Sequence, residues 1–372
     1  MSRSIEKWLG PYLSQTWRRL KLARERAGTP VHVMLAFCDH FEPYHDADRP
    51  EAIARTQRWL DEFPRRTDRF RDFDGRPPKH TFFYPIEQYD REVIDRLAAL
   101  CRLTGCEVEI HLHHERDTPE GLRSALRKGK DDLGSHGLLS TDPDGAVRFA
   151  FIHGNWALAN CHPLGRGCGV EGELRILREE GCYADLTFPS APSPTQPSAL
   201  NTIGYADNRL TPRSLSHPTA ARAGEGGALR DDPDRLLMIH GPLGLNWKWR
   251  KFGVIPRIEN GDLTKANPPT RNRLNVWRRI AASVEGVPAW QFVKLHTHGG
   301  PPRNADMFLG DAMTAFHDAL ASEASNGRLR PHYVSAREMA NLIHAIEDGL
   351  TGDPNAYRDY LLQNRLPAAA SR

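Results

Sequence analysis

Short apolar segments alternate with longer segments of helical periodicity along most of the chain. The apolar segments are rich in β-branched and aromatic residues, as buried strands are. They cover residues 31–37, 80–84, 108–112, 147–152, 183–188, 236–240 and 289–296. Helical spacing of apolar positions predicts helices at residues 51–63, 90–103, 119–127, 171–180, 275–284, 305–323 and 336–347. Strands that alternate with helices predict an α/β fold with a parallel sheet, either open or closed into a barrel.

The same pattern divides the chain into three parts. Residues 1–28 predict a basic amphipathic helix, which either packs on the domain or lies on a membrane surface. Residues 29–350 form the predicted barrel domain, with loop insertions near 189–234 where Pro, Ser and Gly are frequent. Residues 351–372 are predicted to form a C-terminal tail.

Composition narrows the class of protein. Of the 372 residues, 39% are hydrophobic, which supplies a large core and excludes general disorder. The formal charge of +3 argues against a nucleic-acid partner, because dedicated binders usually carry a larger basic excess. The six Cys include no CxxC pair, which is typical of reduced thiols. No apolar run reaches the roughly 20 residues needed to span a bilayer, and no secretory h-region is present. We therefore expect a cytoplasmic location, with peripheral membrane contact if the N-terminal helix binds lipid.

Side chains that commonly bind metals, His and Asp, lie at or just after the ends of most of the predicted strands. They are Asp39, His40, His111, His113, His153, His240, His296 and His298. The C-terminal ends of parallel strands meet on one face, so these side chains can share a cavity. One such His is usually a buried structural residue, but several are harder to explain that way, because buried imidazoles without partners are costly.

His111 and His113 form the most specific pattern. Residues i and i+2 of a strand point to the same side, so both imidazoles can bind one cation. Zinc is the expected ion, with cobalt, nickel or manganese as alternatives. A third ligand would come from Asp39 or His40 at the end of the first strand.

A metal-assisted hydrolysis also needs a base for water and an acid for the leaving group. Asp39 or Glu42 is the candidate base, and His296 is the candidate acid. Asp185 is placed to orient a catalytic imidazole, or else binds only local backbone amides.

Substrate contacts are predicted from the segment that follows the fourth strand. His153, Asn155 and Trp156 combine groups that can bond and stack on a sugar, although Trp156 equally suits core packing. His298 shares the face of His296 if that strand continues, and is otherwise a turn residue before two Gly.

The order of these motifs resembles the polysaccharide deacetylase family of the NodB-homology type, over residues 31–345. KHTFF at 79–83 is similar to the family's second-strand segment, and EVEIHLHH at 107–114 to the HxH strand of its divergent members. FCDH at 37–40 stands where the family has TFDD, and Leu295-His296 resembles its late Leu-His motif. Asp185 falls near the acidic residue that tunes the late His.

The resemblance implies a distorted (β/α) barrel of about seven parallel strands, a divalent metal and removal of an acetyl group from a glycan or glycoconjugate. By that alignment Asp39 is the base and His40 a ligand, whereas a shift of one residue makes Cys38 replace the base and Asp39 the ligand. The family's Arg motif appears as His153-Gly154-Asn155-Trp156, without Arg.

Three functions remain open from the sequence. The first is a metal-dependent carbohydrate deacetylase, acting on an amide or ester bond. The second is a glycoside hydrolase on a similar barrel, which needs two suitably spaced carboxylates. The third is a non-catalytic glycan-binding barrel in a polysaccharide biosynthesis system, suggested by the altered motifs.

Overall fold

The computed structural model of the protein describes residues 4–26, 28–210 and 212–366. The strands are β1 Val31–His40, β2 Thr81–Pro85, β3 Glu107–Leu112, β4 Ser140–Thr141, β5 Val147–His153, β6 Cys182–Asp185, β7 Ile203–Asp207, β8 Thr219–Ala220, β9 Arg235–Ile239, β10 Gly244–Lys251, β11 Ile255–Glu259, β12 Trp290–Thr297, β13 Leu329–Tyr333 and β14 Gln363–Asn364. The α-helices are α1 Ile5–Ser14, α2 Thr16–Glu25, α3 Arg49–Thr67, α4 Arg91–Thr104, α5 Pro119–Gly134, α6 Glu173–Glu179, α7 Ala228–Asp231, α8 Arg271–Ile280, α9 Pro302–Phe308, α10 Asp311–Ala324 and α11 Ala336–Glu347.

The central sheet is largely parallel, as the alternation of strands and helices predicts. In the described residues, seven strands lie side by side in the order β12-β1-β2-β3-β5-β6-β9, and each neighbouring pair is parallel. β13 also pairs in parallel with the first half of β1. β7 and β8 extend the sheet beyond β9 in antiparallel fashion, so part of the predicted loop insertion at 189–234 is strand. Within this part of the chain the sheet does not close on itself.

β1 shows why the central strands have continuous apolar sequences. Val33, Leu35 and Phe37 pack into one hydrophobic cluster. Met34 and Ala36, at the alternate positions, pack into a second cluster. Because both faces of the strand are covered, apolar side chains are favoured in both sets.

The strand ends are level with one another, which brings the predicted site residues together. His296 in β12 lies opposite Cys38, two residues before His40. Further along the sheet, Leu112 lies opposite His153, so the ends of β3 and β5 coincide.

The N-terminal segment is two helices rather than the single helix predicted. Pro11 lies inside α1, and α2 begins directly after Gln15. Trp8 of α1 is buried against Ala191, Leu200 and Leu243, which fixes this helix on the domain. Among the described residues, no helix is both long and apolar enough to cross a bilayer.

The predicted C-terminal tail is in large part packed on the domain. The Arg358 side chain is buried and forms ion pairs with Asp72, Asp74 and Glu338. β14 pairs with β4. Residues 367–372 of the predicted tail lie outside the described residues.

Candidate functional site

The imidazoles of His111 and His113 converge, as the HxH pattern predicts. Their ring centroids are 4.6 Å apart. Their shared neighbour is the Glu42 carboxylate: its Oε1 lies 3.1 Å from Nε2 of His111 and 3.3 Å from Nε2 of His113. Two ring nitrogens and a carboxylate oxygen therefore face one another at the end of β3.

The other nitrogen of each ring is held by an acceptor. Nδ1 of His111 lies 3.0 Å from the carbonyl oxygen of Ile152, and Nδ1 of His113 lies 2.7 Å from Oε1 of Glu87. Both acceptors require a proton on Nδ1, so in the neutral rings Nε2 presents a lone pair. Metal-binding His residues are commonly oriented in this way, by an oxygen acceptor behind the ring.

The charge of Glu42 is closely coupled to the two imidazoles. Burial alone would raise the pKa of Glu42, but hydrogen bonds with His111 and His113 lower it well below its usual range. Burial would likewise lower the pKa of His113, but Glu42 and Glu87 outweigh this effect and raise it to about 9. Without a metal, a second proton on His113 thus supplies the positive charge that the two carboxylates attract.

His40 extends the cluster toward β12. Its ring is buried, and neither nitrogen has a hydrogen-bond partner among the described residues. The ring centroid lies 4.9 Å from that of His111 and 4.7 Å from that of His298. Burial and the neighbouring imidazoles lower its pKa far below the usual value, so His40 is neutral and can donate a lone pair.

These residues fit a divalent metal ion. Ligand atoms of Glu42, His111 and His113 all lie within 4.8 Å of one another, and so do those of His40, Glu42 and His298. Glu42 belongs to both sets. Imidazole nitrogen with a carboxylate oxygen is the donor set typical of zinc and related ions.

Asp39, predicted as base or ligand, is instead engaged in the scaffold. Its Oδ1 accepts a hydrogen bond from the backbone amide of Gly299 at 2.6 Å, and its Oδ2 lies 2.8 Å from Nε2 of His80. Gly299 also binds the Trp59 indole through its carbonyl. The carboxylate that faces the imidazoles is Glu42, three residues later, and Asp39 holds the turn that follows His298.

The predicted acid His296 lies near the cluster. Its ring centroid is 6.1 Å from that of His40, its Nδ1 has no partner in the described chain, and its Nε2 is 4.0 Å from Oδ1 of Asp262. Burial and nearby Lys294 lower the pKa of His296 far below its usual value. The side chain is therefore neutral at pH 7.

Among the described residues, Asp185 makes no hydrogen bond to an imidazole, which was the first of the two roles predicted for it. Its two oxygens accept hydrogen bonds from the amide and the hydroxyl of Thr187, the second of the two alternatives for this residue. Burial raises the pKa of Asp185 to about 7. Thr187 in turn accepts from the backbone amide of His153, which ties β6 to β5.

The predicted substrate residues separate into two groups. The Trp156 ring lies 6.4 Å from that of His40 and 6.5 Å from that of His298, so Trp156 borders the Glu42 cluster, to which His298 belongs. Asn155 donates from its side chain to the carbonyl oxygen of His114.

His153 belongs to a second buried cluster. Its ring is 4.8 Å from that of His114, and Nε2 of His114 lies 3.0 Å from Oε1 of Glu173. His153 Nε2 is 3.7 Å from the same oxygen, and its Nδ1 accepts from the amide of Asn155. The partners of His153 are therefore Glu173, His114 and Asn155 rather than Glu42.

Sequence reasoning gave no role to Glu87 or Glu173 and treated Glu42 only as a base. Glu42 was detectable, because it stands two residues after His40 and an extended chain places such residues on one side. Glu87 and Glu173 come from a short helical turn and from α6, and no local pattern connects them to the HxH strand. No protein-family model and no curated protein matches this chain.

Proposed function

We propose that this chain is a metal-dependent hydrolase of the carbohydrate-deacetylase type, which removes an acetyl group from a glycan or glycoconjugate. One observation carries the proposal: the Nε2 atoms of His111 and His113 both face Glu42, while their Nδ1 atoms are held by oxygen acceptors. The seven parallel strands support an α/β fold, but the sheet of the described residues is not closed into the distorted barrel that the NodB-like sequence motifs imply.

His111, His113 and Glu42 would hold the ion, with His40 and His298 completing the site. Zinc is the ion that this donor set favours. When bound, a divalent cation polarises the acyl carbonyl and lowers the pKa of water. Glu42 and Glu87 keep the site electrically balanced, because the charge of the two carboxylates offsets that of the cation.

His296 is the proposed proton carrier. Its buried ring lies beside that of His40, and its Nδ1 has no partner among the described residues, so it would first take a proton from the attacking water. It then returns that proton to the amine or alkoxide released when the acyl bond breaks. Trp156, beside His40 and His298, offers an aromatic face for a sugar ring.

The carboxylates favour this reaction over glycoside hydrolysis. A glycosidase needs an acid and a base or nucleophile on either side of the bond that it cleaves. Asp39 is committed to His80 and Gly299, and Asp185 to Thr187. Glu42 is directed at two imidazoles, which suits metal binding better than attack on a sugar.

The test compares metal content and acetate release. Protein stripped with a chelator and reloaded with zinc should retain about one ion per chain, and His111→Ala should lose it together with acetate release from acetylated sugars. His317→Ala is the matched control, because it removes a buried imidazole that bonds Tyr333 instead. Equal metal content in native protein and His111→Ala would contradict the metal site. Retained metal with no acetate release from any acetylated sugar would contradict the reaction.

A further inference from the structure

A second concave surface lies apart from the Glu42 cluster. It is a groove of about 800 Å³ between α2, α8 and the beginning of β10. Its lining residues include five cationic side chains and no Asp or Glu. The cations are Arg19, Arg26, Lys248, Arg278 and Arg279.

These cations are poorly neutralised by the protein. Arg19 donates to the Tyr12 carbonyl and the Thr16 hydroxyl, and Arg26 donates to the Leu22 carbonyl. The carboxylate nearest to Arg278 is that of Glu323, at 3.9 Å. Burial lowers the pKa of Arg26, the charge of Arg278 lowers it further, and the nearby Glu25 opposes these two effects in part. The groove therefore concentrates positive charge that an anion would stabilise.

Large apolar side chains are exposed on two of the elements that form the groove. On α2, Trp17 is 80% exposed and Leu20 is 49% exposed. The β10–β11 hairpin carries Phe252, Val254 and Ile255, which are 80%, 69% and 56% exposed. Scattered exposed apolar residues are ordinary, but a group of them on the elements that carry poorly neutralised cations is typical of an interface.

The hairpin is shaped to present its tip. Asn246 accepts hydrogen bonds from the amides of Lys248 and Trp249, which produces an irregularity in the ladder and leaves Trp247 exposed. Phe252 and Gly253 both have positive φ, as in the tight turns that join two antiparallel strands. A bulky aromatic residue is disfavoured in that conformation, so folding alone would favour Asn or Gly at position 252.

We propose that this face docks on an anionic phospholipid surface, with lipid phosphates in the groove and the hairpin tip and α2 in the bilayer interface. Amphipathic surfaces with Lys and Arg beside Trp, Phe and Leu bind membranes in this way. A nucleic acid would use the cations and aromatic rings but gains little from Leu20, Val254 and Ile255. A soluble phosphate would use only the groove. This proposal does not depend on the hydrolase activity.

The experiment is sedimentation of the full chain with vesicles of phosphatidylcholine alone or mixed with phosphatidylglycerol. The native chain should bind the mixed vesicles far more strongly. Arg19→Gln, Lys248→Gln and Arg279→Gln together should weaken that binding by roughly 100-fold, at about fivefold for each charge. Phe252→Ser with Ile255→Ser should weaken it by about tenfold while leaving the groove charge intact.

Two control variants leave the face unchanged. Arg65→Gln removes an exposed cation from α3, and Leu164→Ser removes an exposed leucine outside both flanking elements. Both should bind like the native chain. Equal binding to the two vesicle types, or unchanged binding by the triple charge variant, would overturn the proposal. The proposal would also be overturned if single-stranded RNA fully displaced the native chain from the vesicles while Phe252→Ser with Ile255→Ser bound them like the native chain. That result identifies a nucleic-acid site.

Discussion

The Nδ1 atom of His113 lies 2.7 Å from Oε1 of Glu87, and this hydrogen bond orients the ring so that its Nε2 atom meets Glu42. Glu87→Ala leaves every proposed ligand in place but removes the acceptor behind one of them. We expect zinc affinity to fall by about 10- to 100-fold, as is typical when such partners are lost. Competition with a chromophoric chelator would measure it.

Glu87→Gln is the informative comparison. The amide oxygen can still accept a hydrogen bond from Nδ1 but carries no charge. The zinc affinity of Glu87→Gln should therefore lie between those of the native chain and Glu87→Ala. Native affinity in Glu87→Ala would contradict the role assigned to this hydrogen bond.

Asp39 is expected to support the fold rather than bind the ion. Asp39→Asn weakens the buried contacts with Gly299 and His80, and hydrogen bonds to a charged group contribute about 2 kcal/mol each. The free energy of unfolding should fall by up to about 4 kcal/mol for the two contacts together in urea titrations, with zinc content retained. Loss of zinc without loss of stability would instead make Asp39 a ligand.

Gly154 leaves space for the His113 ring. A Cβ at this position would lie 2.3 Å from Cδ2 of His113, so Gly154→Ala must displace the ring. We expect weaker zinc binding, measured by the same chelator competition. Gly10→Ala, where an added Cβ meets no atom within 4 Å, should bind zinc like the native chain.

Asp185 makes folding stability depend on pH. Burial raises its pKa to about 7 in the folded chain from 3.8, so its contribution is largest at low pH and is lost as the pH rises through 7. Asp185→Asn should therefore gain stability relative to the native chain between pH 5 and 7, by about 1.4 kcal/mol per pH unit. Urea unfolding across this range measures the difference. For Asp144→Asn, which removes an exposed carboxylate, the free energy of unfolding should vary with pH in parallel with that of the native chain.

Arg358 connects the C-terminal segment to the domain. Arg358→Met would leave the carboxylates of Asp72, Asp74 and Glu338 without this buried cation. Breaking a buried ionic network in this way costs about 3–5 kcal/mol. The exposed Arg209, paired with Asp207, offers the control: Arg209→Met should cost less than about 1 kcal/mol. Equal unfolding midpoints for the two variants would refute the assignment.

Much of the fold could be predicted because its strands are covered on both faces. β1 needs apolar side chains at every position from Val33 to Phe37, and such a run is visible in any sequence. β7 was not predicted, because it is antiparallel and follows a Pro- and Ser-rich segment that indicates loop. The division of the N-terminal segment into two helices was not predicted, although Pro11 lies within the first of them.

The candidate site could be predicted only where local geometry determines it. The alternation of side chains along a strand correctly paired His111 with His113. It could not show that His80 and Gly299 occupy the Asp39 carboxylate, because those residues are distant in sequence. Family resemblance drew attention to Asp39, whereas the contacts among described residues favour Glu42 as the carboxylate of the cluster.

Asp39 and Glu42 divide two duties that lie only three residues apart. The first carboxylate joins β1 to the turn after β12, and the second is available to bind a cation. Substitution at position 42 could therefore change or abolish the proposed metal site without unfolding the chain. Distant homologues should accordingly be sought by the spaced signature Asp-His-x-Glu before a His-x-His strand, rather than by two adjacent aspartates.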